Sequence, residues 1–230
     1  MAKVAIMQPY LFPYMGYYQL VSHADCFVFL DDVNFIKGGY IARNVIRGIK
    51  SEPIGFFVGV ERQSQNRLIN DHKFVLDCRK SVASIAFCYA KAGNFCRVMP
   101  LINDILCSEE RNVARMASKS IKAVFEYLGK EKTFLFSSEV GNPDSLRGQD
   151  RIIDLCKRLG ATEYTNPIGG LNLYTHEAFA REGIRLGFIN PLASDLEFEE
   201  RNYSNFSIID ALMHCPQDVV LKMLLAYEIV

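Results

Sequence analysis

The opening of the chain constrains the fold more than any other part of it. Lys3 to Met7 is a short apolar run typical of a buried strand, and a loop rich in proline and tyrosine follows it. An apolar helix comes next, and a second strand, Cys26 to Leu30, stops at Asp31 and Asp32. In such a strand–loop–helix–strand unit, the first loop and the residues after the second strand meet at the carboxyl edge of the sheet, where α/β proteins bind ligands. We therefore expect the functional site at this edge.

Strands and helices alternate again in the second half of the chain. Strands are predicted at Thr133 to Ser137, Thr162 to Asn166 and Ile184 to Phe188, helices at Leu146 to Leu159 and Thr175 to Glu182, and a turn-rich loop with Asn142 at Ser138 to Ser145. This alternation predicts an α/β fold with a Rossmann-like, mostly parallel sheet.

A helical stretch separates these two α/β parts. From about Phe74 to Leu128 apolar residues recur at helical spacing with no strand between them, and Gly129 ends the last helix. We expect a single α/β domain over residues 1–230, with a helical insertion at 74–130 that could support a homodimer. The tail from Ser207 to Leu225 is also predicted to be helical, split by Pro216.

Composition excludes several classes of protein. The chain has 26 basic and 26 acidic residues, whereas a nucleic-acid binder needs a basic excess. No signal peptide and no apolar run of about 20 residues is present, so we expect a cytoplasmic protein without a membrane span. The seven cysteines form no CxxC pair and the four histidines have no partner at metal spacing. We therefore expect buried, reduced thiols and no metal site.

The first loop supplies one group of candidate binding residues: Gln8, Tyr10, Tyr14, Gly16 and Tyr17. Its layout is similar to that of the adenylate-forming nucleotidylyltransferases, in which a histidine pair surrounds the glycine that opens the helix. Here Tyr14 and Tyr17 flank Gly16, so imidazolium charge is missing. The tyrosines could stack on a base or bind phosphate, with ATP and Mg as candidate cofactors, or they could simply pack in the core.

The second group follows the second strand. Asp31 and Asp32 could bind a divalent metal, orient a sugar hydroxyl or act as a general base, or they could be a solvated strand end. Adjacent strand residues point to opposite faces, so we expect only one carboxylate in the site and assign catalysis to Asp32 and binding to Asp31. Lys37 and Arg43 are assigned catalytic roles toward phosphate or carboxylate, and Asn44 a binding role, the alternative being exposed charges on a hairpin.

Small and polar residues after the later strands complete the prediction. Ser138, Asn166, Gly169 and Gly170 should also lie at the carboxyl edge, where residues without bulky side chains let a ligand approach the backbone. Asp210 lies in an apolar helical context and is interpreted as a structural anchor, because a buried acid needs a partner.

These motifs recur in a known family. They are Met7-Gln8-Pro9-Tyr10-x-Phe12-Pro13-Tyr14-x-Gly16-Tyr17, Asp31-Asp32-Val33, Lys37, Arg43-Asn44, Ser137-Ser138, Asn166-x-x-Gly169-Gly170-x-x-x-Tyr174 and Phe206-Ser207-Ile208-Ile209-Asp210. Over most of its length the chain thus resembles the WbqC-like proteins. It departs from their pattern at Tyr40, where the family usually has tryptophan, and at Ser81, where a histidine follows the lysine. A role that this histidine has in the family is therefore not assigned to Ser81.

The resemblance implies work in bacterial surface-polysaccharide assembly of the O-antigen type. We expect a transferase that acylates or aminoacylates, for example with glycine, the amine of a nucleotide-linked amino sugar. The acyl group would be activated with ATP, as in an amide ligase, or would come from a carrier. The alternative is a non-catalytic protein of the same pathway that binds a sugar nucleotide or a partner.

Overall fold

A computed structural model describes residues 2–75, 77–141, 143, 145–192 and 206–230, and it contains eight strands within these residues. In chain order they are β1 (Ala2–Met7), β2 (Cys26–Phe29), β3 (Arg43–Arg47), β4 (Pro53–Phe57), β5 (Thr133–Phe136), β6 (Ala161–Pro167), β7 (Arg185–Pro191) and β8 (Tyr227–Ile229).

Six of the strands form one sheet in the order β5-β2-β1-β6-β7-β8. All neighbours are parallel except β8, which runs antiparallel to β7 and pairs Ile229 with Ile189. The predicted α/β fold with a mostly parallel sheet is confirmed. From β1 the chain moves outward through β2 to β5 and later returns to β6 on the other side of β1. The strand order therefore reverses between β1 and β6, which is the place where open α/β sheets leave a crevice for a ligand.

Nine α-helices surround the sheet within the described residues. They are α1 (Met15–His23), α2 (Arg79–Tyr89), α3 (Phe95–Leu106), α4 (Val113–Tyr127), α5 (Ser137–Val140), α6 (Gly148–Arg158), α7 (His176–Arg181), α8 (Ile208–His214) and α9 (Gln217–Met223). The predicted loop at Ser138 to Ser145 was wrong at its start, because α5 continues directly from β5; Asn142 lies outside the described residues. The split of the tail at Pro216 is confirmed.

The core has a large and a small half. The large half joins α1 to the predicted helical segment, with Tyr17, Phe27, Val98, Ile121 and Ile209 all within one cluster of buried side chains. The small half lies beneath α6 and α7. The helices α2 to α4 thus share a continuous core with the sheet and with the antiparallel pair of β3 and β4.

Two buried carboxylates connect distant elements. Asp210 accepts hydrogen bonds from Arg47 and from the Tyr89 hydroxyl, both at 3.0 Å, which confirms its predicted role as an anchor. Glu163 accepts hydrogen bonds from His23 and Arg185. Burial alone would raise the pKa of Glu163, but these two donors together outweigh burial and hold the pKa below its ordinary value.

Two further predictions concern the surface and the membrane. All seven cysteines are free thiols, but Cys96 and Cys107 are exposed, so the expectation that the thiols are buried was wrong for these two. Cys96 lies in α3 and Cys107 at the end of that helix, and both face away from its apolar side. No helix among the described residues has the length and the apolar character that crossing a membrane requires.

Candidate functional site

A cavity lies where the strand order reverses. It has a volume of about 450 Å³ and is bounded by the carboxyl ends of β1, β6 and β7, by the start of α1 and by α6. Among its lining residues are Gln8, Tyr10, Tyr14, Gly16, Asn166 and Gly170. We name it the switch-point cavity. The structure thus brings together predicted residues from the first loop and from the loop after β6, and none of the described residues that line this cavity is charged.

The first loop is held in place at Phe12. This buried residue has a φ of 45°, in the left-handed region that L-residues rarely adopt. Its N–H donates to the hydroxyl of Ser120 at 3.0 Å, and its carbonyl accepts from Asn44 Nδ2 at 2.5 Å and from Ser207 Oγ at 2.7 Å. Asn44, predicted to bind a ligand, is therefore buried beneath the loop and fixes its shape.

The tyrosines of the loop divide into two kinds. Tyr17 is fully buried outside the cavity wall, and its hydroxyl donates to the carbonyl of Gln8 at 2.8 Å, so it supports the loop from below. Tyr10 and Tyr14 line the cavity. Burial, with the neighbouring hydroxyls of Tyr14 and Tyr40, raises the pKa of Tyr10 to about 12. Tyr10 is therefore neutral at physiological pH, and it can donate or accept a hydrogen bond but not supply charge.

Two glycines shape the cavity because a side chain would not fit. A Cβ on Gly170 would lie 2.1 Å from Oδ1 of Asn166, and a Cβ on Gly16 would lie 2.9 Å from the ring of Tyr14. Asn166 in turn donates to the hydroxyl of Tyr164 at 2.7 Å, which fixes its amide. Gly169, by contrast, is exposed and has open space around its Cα.

A second cavity of about 320 Å³ lies beyond the ends of β2 and β5, and we name it the polar cavity. Asp31, Ser138, Asn70, Asp71, Arg115 and Glu139 are among the residues that line it. It adjoins the switch-point cavity, since Leu30 lines the first cavity and Asp31 the second. The described residues contain no group of three or more His, Cys, Asp or Glu side chains that could hold a metal ion.

Asp31 is buried, and donors face most of the acceptor positions of its carboxylate. Oδ1 accepts from the backbone N–H of Ser138 at 3.0 Å, and Oδ2 accepts from the Ser138 hydroxyl at 2.7 Å and from Asn70 at 3.2 Å. The Ser137 hydroxyl lies 3.1 Å from Oδ1 but also contacts Oδ1 of Asp32, and because it has one proton it donates to only one of the two carboxylates at a time. Three of the roughly four lone-pair positions of Asp31 are therefore filled without Ser137. Its geometry is that of a junction between β2, α5 and the 3₁₀ helix Ile69–Asp71.

Asp32 differs from its neighbour. Its Oδ1 pairs with the guanidinium of Arg151 at 2.6 Å and accepts from the Ser137 hydroxyl, whereas no donor among the described residues contacts Oδ2. Asp32 itself lines neither the switch-point cavity nor the polar cavity. Its neighbour Asp31 lines the polar cavity, and Ile152, next to Arg151 on α6, lines the switch-point cavity. Asp32 therefore retains one carboxylate oxygen that could accept a proton.

Lys37 and Arg43 are exposed and line neither cavity. The guanidinium of Arg43 lies 5.3 Å from the ring centre of Tyr40, an exposed residue that acts electrostatically on both Tyr10 and Tyr14. Arg43 is thus outside the wall of the switch-point cavity, beside a tyrosine that lies near two residues of that wall, and Lys37 precedes Tyr40 in the same loop.

Sequence reasoning missed the residues that assemble these cavities from far along the chain. Ser120 and Ser207 hold Phe12, Arg151 pairs with Asp32, and Asn70 contacts Asp31. Ser207 stood within a recognised motif, but a serine before an apolar helix indicates an N-cap, a role that it also fills by accepting from the N–H of Ile209. Nothing in the sequence around Ser120, Arg151 or Asn70 indicates the contacts that these residues make.

Comparisons with known proteins agree with the motif resemblance. The sequence profile of the WbqC-like protein family matches residues 8–221. An uncharacterized protein of Mycobacterium tuberculosis, Rv1507c, is 23% identical over 192 residues, which is 81% of each chain. No solved structure matches. The profile covers the first loop from Gln8 onward, most of the residues that line the two cavities, and α8, and the chain therefore belongs to the WbqC-like protein family.

Proposed function

We propose that the chain is a transferase of bacterial surface-polysaccharide biosynthesis that acylates or aminoacylates the amine of a nucleotide-linked amino sugar. Membership of the WbqC-like family suggests a role in polysaccharide biosynthesis. The observation that carries the proposal is the switch-point cavity, because it lies where Rossmann-like sheets bind nucleotides and has the size of a small-molecule site.

The walls of this cavity suit the uncharged parts of such a substrate. Tyr10 and Tyr14 offer aromatic faces and neutral hydroxyls, and Gln8 and Asn166 offer amides, which suits a base or a sugar ring. No charged side chain of the described residues lines the cavity, so the phosphates would lie outside it, toward the exposed Arg43 beside Tyr40. Guanidinium groups bind phosphate oxygens in pairs, and this supports a binding role for Arg43.

In the proposed reaction the amine of the sugar attacks the acyl carbonyl carbon. An amide bond forms, the bond to the leaving group breaks with its electron pair, and the amine loses a proton. Oδ2 of Asp32 is the acceptor that the geometry favours, because Oδ1 is held by Arg151 while Oδ2 has no donor among the described residues. An acyl group activated with ATP would release AMP and pyrophosphate, whereas a carrier-bound acyl group would release the carrier.

The test begins with binding and continues with turnover. Thermal unfolding is followed with dTDP-, UDP- and GDP-linked amino sugars, and a ligand at 100 times its Kd should stabilise the fold by about 2.7 kcal/mol. Product formation is then followed by mass spectrometry with ATP and an amino acid, or with an acyl carrier. The variant Asp32→Asn should lose turnover and keep binding, while Asp150→Asn, an exposed position on α6, should change neither. If no nucleotide-linked sugar binds, the proposal is wrong.

The second candidate is a non-catalytic protein that binds a sugar nucleotide or a partner in the same pathway. Two observations favour it: most of the acceptor positions of Asp31 are filled, and no histidine lines either cavity among the described residues. Binding without turnover under every donor, together with unchanged behaviour of Asp32→Asn, would establish this candidate.

A further inference from the structure

The polar cavity contains opposite charges that do not pair with each other. Arg115 reaches it from α4 and Glu139 from α5, and both side chains line the same space of about 320 Å³. Within the part of the chain that the structure describes, neither the guanidinium of Arg115 nor the carboxylate of Glu139 makes a hydrogen bond or an ion pair. The cavity therefore separates one cationic from one anionic group and leaves both open to a ligand.

Neutral and saturated groups complete the walls. The Nδ2 of Asn70 donates to Asp31, but its Oδ1 has no donor among the described residues and can accept one. Asp31 itself adds negative charge with most of its acceptor positions filled, and Asp71 adds another carboxylate. Among the described residues the walls thus hold three carboxylates and one guanidinium, a balance that favours an ammonium group and provides for one ligand carboxylate.

We propose that the polar cavity binds a free α-amino acid, with its carboxylate on the guanidinium of Arg115 and its ammonium between Glu139 and Oδ1 of Asn70. A simple amine would leave Arg115 without a counter-charge, and a dicarboxylate would meet repulsion from the acidic wall. The volume is at the small end of ligand sites, which suits a molecule of this size. That the bound amino acid serves as the acyl donor rests on the proposed function, whereas its binding in the polar cavity does not.

Isothermal titration calorimetry tests this directly. Glycine, L-alanine and L-serine are titrated into the protein, followed by N-acetyl-L-alanine, which lacks the ammonium, and L-alaninamide, which lacks the carboxylate. At least one of the three amino acids should bind, and each analogue should bind at least tenfold more weakly than L-alanine, about 1.4 kcal/mol per lost charge. Arg115→Gln and Glu139→Gln should each weaken binding about tenfold, and Arg115→Gln should no longer distinguish L-alanine from its amide.

Two matched variants control for general changes in surface charge. Lys119 and Glu126 are exposed residues on α4 outside the cavity. The variants Lys119→Gln and Glu126→Gln should therefore bind the amino acid as the unmodified protein does. Absence of binding by all three amino acids at millimolar concentration would overturn the inference, and so would binding that Arg115→Gln and Glu139→Gln leave unchanged. Titration with the nucleotide-linked sugars separates the two proposals, since amino acid binding without sugar binding would refute only the transferase.

Discussion

The carbonyl of Phe12 should show strong coupling between its two donors. Asn44 and Ser207 both donate to this buried oxygen, and Ser120 accepts the N–H of the same residue. Either single change, Asn44→Ala or Ser207→Ala, leaves the carbonyl with one donor. The double variant leaves it with none, in a residue that already adopts a left-handed backbone conformation.

The magnitudes follow from these contacts. Loss of one hydrogen bond costs about 1 kcal/mol of the free energy of unfolding, and Ser207→Ala also removes the cap of α8 at a further cost of about 1 kcal/mol. A buried carbonyl without any donor costs about 1–3 kcal/mol. The double variant should therefore lose about 1–2 kcal/mol more than the sum of the two single variants.

Urea unfolding of the four proteins measures this coupling. Ser118→Ala serves as the matched control, because the Ser118 hydroxyl is also buried but bonds only within α4. Combined with Asn44→Ala, it should be additive to within about 0.5 kcal/mol. If the Asn44–Ser207 pair is equally additive, the carbonyl of Phe12 does not depend on these two donors and the account of the loop is refuted.

Two further predictions concern the cavity and acid stability. Gly170→Ala should displace the amide of Asn166 and weaken ligand binding in the switch-point cavity more than tenfold, because its Cβ would collide with that amide. Gly169→Ala has open space and should leave the affinity unchanged, so equal ligand affinities of the two variants in titrations would contradict this prediction. The pKa of Glu163 is lowered in the folded state, so its stabilising effect is present above the pKa of the unfolded state and is lost as the pH falls through the folded pKa. Glu163→Gln should therefore flatten the acid side of a plot of stability against pH, and an unchanged slope below about pH 4.5 would refute this assignment.

The parts of the fold that were predictable are those with a local signal. The run from Lys3 to Met7, the helix behind Gly16 and the strand before Asp31 each have their own periodicity, and all three formed as expected. The strand β8 was missed because Tyr227–Ile229 is only three residues long and forms a strand only by pairing with β7. A strand of this kind depends on a partner distant in sequence.

The site was less predictable for a similar reason. The edge of the sheet was identified correctly from strand ends, and Gln8, Tyr14 and Asn166 do meet there. The state of Asp31 could not be read in the sequence, because its donors come from Asn70 and from the serines at the start of α5, both distant along the chain. Whether a carboxylate is open or saturated depends on these tertiary contacts.

The order of the strands also has a consequence for how the chain folds during its synthesis. The central strand β1 leaves the ribosome first, but its neighbour β6 pairs Tyr164 with Val4 and is made only after more than half of the chain. Until then one edge of β1 has no strand beside it, and exposed edges attract other chains. Nascent chains that stop before β6 should therefore require a chaperone or aggregate, whereas chains that extend through α9, and so include the core residues of α8, should fold.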